Sequence, residues 1–176
     1  MKKIWILCAA LAVGLLFSAC GVGDVGGPVP GSSSSQSASS QAAVSSSAVS
    51  ADSVSDDLSG LQKYLASNAG FSGTPENMQA EVIGAKSGVR YVFGHDGKNN
   101  ISAELYEYDP ANLGDTAQKI LSDVKSGGKF TLMGQQVSAS VSDSGKYLMI
   151  YKNSATDENN KTYDAKVLDL FRKFKS

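Results

Sequence analysis

The stretch from Gly21 to Ser55 limits what this chain can fold into more than any other. It holds no aromatic residue and few charges. Gly21-Val22-Gly23-Asp24-Val25-Gly26-Gly27-Pro28-Val29-Pro30-Gly31 leads into Ser32-Ser33-Ser34-Ser35, and thirteen of the twenty-four residues from Ser32 to Ser55 are serine. Such a tract cannot bury enough apolar surface to offset the entropy of ordering it. As a random coil its r.m.s. span is roughly 30–35 Å. It is expected to be a disordered Gly/Ser-rich linker over 20–55. A fold must then be built from 56–176, about 120 residues, enough for one domain with a modest core.

The linker follows a short basic start, Lys2-Lys3, and the uncharged run Ile4 to Phe17. As a helix that run is roughly 21 Å long, short of the roughly 30 Å bilayer core. Its length suits a signal peptide over 1–19 better than a membrane span. The small residues Ser18 and Ala19 then precede Cys20. An apolar residue, two small residues and a cysteine resemble the lipobox of bacterial lipoproteins, the signal peptide II class, with Phe17 where that family usually has Leu. The resemblance implies diacylglyceryl transfer to the Cys20 thiol, cleavage between Ala19 and Cys20, and a mature chain held by its lipid at the extracytoplasmic face of the cell membrane. The long serine tether points to a Gram-positive envelope. At about 0.8 kcal/mol per buried methylene, two acyl chains make a stable anchor where one is marginal.

Cleavage would remove Cys8 and lipidation would occupy Cys20. The mature chain then has no thiol for a disulfide, a cysteine-ligated zinc or an iron–sulfur cluster. Net charge is −1, and −3 without Lys2 and Lys3. That is not the basic stripe of a nucleic-acid binder. No Walker loop and no G-x-G-x-x-G appears. No cofactor and no metal are expected.

The remaining sequence reads as α, βββ, α, βββ, α. Leu58, Leu61 and Leu65 at i, i+3 and i+7, with Tyr64 beside them, predict a helix over 57–69. Ser55 or Asp56 would cap it, with Gly70 at its end. Met78 to Ala85, Val89 to Gly94 and Ile101 to Tyr108 read as strands, and Asp96-Gly97 marks a hairpin turn. Asp109-Pro110 predicts a helix start, and Leu113, Ala117, Ile120, Leu121 and Val124 its buried stripe. Lys129–Met133, Gln136–Ser142 and Lys146–Lys152 read as strands, and 161–174 as a last helix with Tyr163, Val167, Leu170, Phe171 and Phe174 on one side. The expected class is α+β: one small domain with an antiparallel sheet and the helices on one face.

Chemical motifs are few. His95 is the only imidazole, so a Ser–His–Asp system would need it, yet it sits in a Gly-His-Asp-Gly turn. Ser126-Gly127-Gly128-Lys129 matches Ser-x-x-Lys formally, with Ser142-Asp143-Ser144 as a loose echo of Ser-Asp-Asn. The serine should open a helix, and here it closes one. Glu104 and Glu107 fall on opposite faces of one strand and cannot act as a pair. Asp96, Asn99 and Asn100, or Asp157, Glu158 and Asn159, lack EF-hand spacing.

With the helices on one face, the other would present Arg90, Glu104, Tyr106 and Tyr108 as a binding face, with Tyr147 or Tyr151 beside them, residue types favoured at interfaces. The expected function is therefore a non-enzymatic binding or interaction module on a membrane anchor, meeting a protein, peptide or envelope ligand. The alternatives are an accessory subunit of an envelope complex and a hydrolase using carboxylates or a serine.

Overall fold

The computed structural model describes residues 48–176. The signal peptide 1–19, the cleavage pair Ala19–Cys20, the lipidation site Cys20 and the linker up to residue 47 lie outside the described residues. The linker's last part does not. Residues 48–55 belong to the domain: Val49 N donates to Asn68 Oδ1 at 3.1 Å and Asn68 Nδ2 returns the bond to Val49 O at 2.9 Å. Ala51 and Val54 pack against the core. Val49, Val54 and Asn68 thus move the domain boundary back from 56.

α1, Leu58–Ala69, starts one residue later than its stripe suggests, because Asp57 is the cap. Its Oδ1 accepts from Gly60 N at 2.7 Å and from Ser55 Oγ at 2.8 Å. Asp56 turns the other way, to Tyr147 OH at 2.7 Å. Gly70 closes the helix at φ 72°. The strand expected over Met78–Ala85 does not form: β1, Glu76–Asn77, ends just before it, and the segment holds a 3₁₀ turn, Ala80–Ile83. In such a turn i and i+3 eclipse, so Ala80 and Ile83 both enter the core while Val82 stays exposed.

β2 (Ser87–Phe93), β3 (Ile101–Glu107) and β7 (Tyr147–Asn153) form the centre of a five-stranded antiparallel sheet ordered β1-β2-β3-β7-β6, with β6 at Ser140–Val141. Arg90, Glu104 and Ile150 lie side by side across β2, β3 and β7. β4 (Lys129–Leu132) and β5 (Gln135–Ser138) pair separately as a hairpin, so the second triplet of strands does not repeat the first.

α2 runs Asp115–Gly127, not from Pro110. The Asp109 carboxylate is taken by the turn that follows it: Oδ1 accepts from Ala111 N at 3.0 Å and Oδ2 from Asn112 Nδ2 at 2.7 Å. An Asx turn of this kind competes with a helix cap for the same carboxylate. α3, Glu158–Arg172, starts three residues before the expected 161, because Asp157 Oδ1 accepts from Asn160 N at 3.0 Å.

Strand alternation divides the core in two. Val89, Tyr91, Phe93, Ile101, Ala103, Leu105, Tyr147 and Met149 face α1 and α3, where Leu61, Leu65, Val167, Phe171 and Phe174 are buried. Each such side chain contributes about 1.5–3 kcal/mol on burial. The opposite sheet face carries Tyr106, Tyr108 and Leu148, which pack with Ala80, Ile83, Ala117, Ile120, Leu121, Val124 and Phe130. The class, the single domain and the antiparallel sheet are as expected. The helices are not all on one face: α1 and α3 share one, and α2 packs with residues of the other. The reason is visible in β3 and β7, which are buried on both sides over Leu105–Tyr108 and Tyr147–Met149.

Candidate functional site

That second core decides the fate of the expected binding face. Tyr106 and Tyr108 are buried and do not present themselves to a ligand. The Tyr106 ring lies on Gly88, its register partner in β2, where a Cβ would come within 2.5 Å of the ring. Its hydroxyl donates to Glu104 Oε2 at 2.9 Å. Burial, then that bond, pushes the Tyr106 phenol well above its usual range. Tyr108 donates to Ile83 O at 3.3 Å, and burial raises it likewise. Tyr147 and Tyr151 face the α1–α3 side, where they donate to Asp56 and Asp164, each at 2.7 Å. Arg90 and Glu104 remain half-exposed, with Arg90 Nε donating to Ser102 Oγ at 3.3 Å. The face is thus reduced to its outer half, Arg90, Val92, Ser102, Glu104 and Lys152.

A concavity lies elsewhere. α2 and the β6–β7 turn enclose a groove of about 660 Å³. Pro110, Leu113 and Leu121 give it apolar walls, with Ser122 and Ser144 among its polar ones. Leu113 is available for this because the 109–112 turn delays the helix and leaves it outside α2. At Lys125 the groove meets a second, polar cleft of about 380 Å³ between the end of α2, β6 and Arg172. The Lys125 ammonium lies over the β6–β7 turn, 3.1 Å from where a Cβ on Gly145 would stand.

Charge in this cleft is unbalanced. Lys119, Lys161 and Lys173 each find a carboxylate on their own helix. Lys125 has no acidic residue three or four positions away in either direction. Among the described residues, neither Lys125 nor Arg172 forms an ion pair. Asp143 is the one carboxylate on the cleft wall.

The backbone adds polar groups. In an antiparallel pair successive amides alternate between the partner strand and the outside. Ser142 N donates to Tyr147 O in β7 at 2.9 Å, so residues 139, 141 and 143 turn outward. Ala139 N is taken by Gly128 O and Asp143 N by Arg172 O, both at 2.9 Å. Val141, between them, is left with its N–H and C=O facing the cleft.

The other candidate groups are engaged in structure. Ser126 Oγ donates into its own helix, to Ser122 O at 3.0 Å and Asp123 O at 3.2 Å, so Ser126-Gly127-Gly128-Lys129 holds no free nucleophile. Ser142 and Ser144 hydroxyls bond each other at 2.9 Å. The His95 ring stacks on Tyr163 with centroids 3.8 Å apart, and its Nε2 is 3.8 Å from Asp96 Oδ2. Burial pushes the Tyr163 phenol up to about 12, and it donates to Ala69 O at 2.5 Å.

Glu104 and Glu107 do lie on opposite faces. Glu107 is buried and accepts from Leu58 N at 3.0 Å and Lys86 Nζ at 3.3 Å, with Lys146 Nζ at 3.7 Å. It completes the N-terminus of α1. Asn100 joins Asn153 and Asn160 in an amide network, and no group of three His, Cys, Asp or Glu side chains suited to a metal is found among the described residues.

Sequence reading missed Lys125, Val141 and Arg172. Lys125 stands out only by lacking a helix partner. Arg172 and the Val141 amide carry no local signal, because register and the approach of α3 bring them together. Among the described residues no helix is long and apolar enough to cross a membrane. No family model, curated protein or solved structure matches the chain.

Proposed function

We propose that this chain is a lipid-anchored protein of the extracytoplasmic membrane face, and that its domain is a non-enzymatic binding module. The ligand sits in the groove along α2. The observation that carries this reading is the groove itself: apolar walls of Pro110, Leu113 and Leu121 that adjoin, at Lys125, a cleft with two unpaired cations. Concave apolar surface with a few convergent polar groups is the usual form of a ligand site. The serines beside it are bonded locally, and His95 belongs to a different cleft. The anchor rests on Lys2-Lys3, the apolar run and Ser18-Ala19-Cys20.

Two substitutions test the two halves separately. Cys20→Ala is expected to leave the membrane fraction and to lose palmitate label. Ser122→Trp, on the exposed side of α2, is expected to fill the groove without touching the core. In membranes crosslinked before solubilisation, partners of the wild-type protein should be absent from Ser122→Trp at equal protein level. Retention of every partner would remove the groove from the reading.

A further inference from the structure

We propose that the cleft at Val141 captures the C-terminal carboxylate of an extended peptide, with an apolar side chain of that peptide in the groove beside Leu121. The proposal rests on the groove being the binding site and names its ligand class. Three observations converge. Lys125 and Arg172 are cations without carboxylate partners on the cleft wall. Val141 turns both its N–H and its C=O into the same cleft, while the outward amides on either side of it are already bonded. The polar cleft adjoins the apolar groove at Lys125, which lines both.

The pair of backbone groups selects among carboxylates. A peptide's last residue has an N–H to donate to Val141 O and a carboxylate oxygen to accept from Val141 N–H. It thereby repeats the reciprocal pair of hydrogen bonds of an antiparallel strand pair. The second carboxylate oxygen is left for Lys125 and Arg172, whose charge-assisted bonds are roughly twice as strong as neutral ones. A fatty acid has no donor for Val141 O. Asp143 on the wall disfavours a second negative charge, so the preceding residues of the peptide are neutral. The site is short: the Gly128–Ala139 and Asp143–Arg172 bonds close the β6 edge on both sides, so one residue pairs with the strand and its neighbours leave it.

The test uses the full-length protein in detergent, with the probes acetyl-Gly-Ala-Leu-Leu as free acid, its C-terminal amide and decanoate. Binding is read by fluorescence anisotropy of a dye-labelled free acid with unlabelled competitors, and by amide chemical shifts. The free acid should bind and shift the Val141 amide. The amide form should compete at least ~10-fold more weakly, the cost of one charge-assisted pair at 1.4 kcal/mol per decade. Lys125→Gln and Arg172→Gln should each weaken the acid by about tenfold and leave the amide form unchanged. Both side chains are exposed and make no ion pair, so the thermal midpoint serves as a folding control that should not move.

Equal competition by acid and amide, or displacement by decanoate alone, overturns the peptide carboxylate. So does acid binding that is indifferent to both glutamine variants. If no probe binds while Ser122→Trp still loses its crosslinked partners, the ligand class fails and the binding module stands.

Discussion

Asn160 has no exposed surface and uses its whole side chain. Its Oδ1 accepts from Asn100 Nδ2 at 3.1 Å and Asn153 Nδ2 at 2.9 Å, and its Nδ2 donates to Asp157 Oδ2 at 2.8 Å. Three segments meet there: the β2–β3 loop, the end of β7 and the start of α3. Truncation removes these three hydrogen bonds, each worth about 0.5–1.5 kcal/mol net, although Asn100 Nδ2 keeps His95 O and Asn153 Oδ1, and Asn153 Nδ2 keeps Asp164 Oδ1. Asn160→Ala is expected to lose about 2–4 kcal/mol by urea unfolding, more than a Lys98→Ala control at an exposed position of the β2–β3 loop would. In the sequence Asn100 reads as a turn residue, which says nothing of its meeting Asn153 at the end of β7 and Asn160 in the first turn of α3. The tyrosines mislead in the opposite way. Tyr106 and Tyr108 alternate with Leu105 and Glu107 as a solvent face would, and tyrosine suits both an interface and a core. Only the position of α2 separates the two.

An element's ends depend on which carboxylate wins its amides, and here the sequence offers too many. Ser55, Asp56 and Asp57 all suit the start of α1. Asp57 takes the cap and Asp56 is pulled to Tyr147 and Lys146. The stripe of α1 was legible because its leucines face one core, whereas the choice of cap was not, because β7 makes it. Asp109-Pro110 fails for the same reason, its carboxylate being spent on the turn after it.

The Asp56 arrangement has a pH signature. The hydrogen bond from Tyr147, and after it the Lys146 ammonium, hold the Asp56 carboxyl below its usual value. A folded-state pKa below the unfolded one gives stability that is complete above the unfolded value, about 3.9, and is lost as pH falls through the folded one. Tyr147 is raised, by burial first and then by the bond to Asp56. Its contribution is complete below its unfolded value, about 10, and is lost as pH rises beyond it. The urea midpoint should therefore fall on both sides of a neutral plateau. In Asp56→Asn the drop below about pH 4 should be shallower than in wild type. An unchanged acid limb would place the titrating carboxylates elsewhere.

At the scale of the whole molecule, one sheet serves two cores, and this was half legible. The α1–α3 core follows from alternation in β2 and β3 and from helical stripes. The α2 core needs long-range approach of Ala80, Ile83 and Phe130, which periodicity does not encode. The boundary of the domain is a further case. Composition runs unbroken from Ser32 to Ser55, since serine, alanine and valine continue through it, yet from 48 onward the chain is tied down. The Val49–Asn68 pair makes two hydrogen bonds, each worth about 0.5–1.5 kcal/mol net. Val54 and Ala51 cover part of the α1–α3 core, at about 25 cal/mol per Å² removed from water.

A chain that begins at Ala48 should thus keep the unfolding midpoint of the chain from Cys20, because a tract of serine and glycine has little apolar surface to add. A chain that begins at Asp56 should lose about 2–3 kcal/mol, the sum of two bonds and a partly buried valine. Asn68→Ala in the longer chain should reproduce the hydrogen-bond share of that loss, and combining it with the shorter start should add little, since the shorter start already removes that contact. Additive losses would mean that residues 48–55 hold the domain through something other than Asn68.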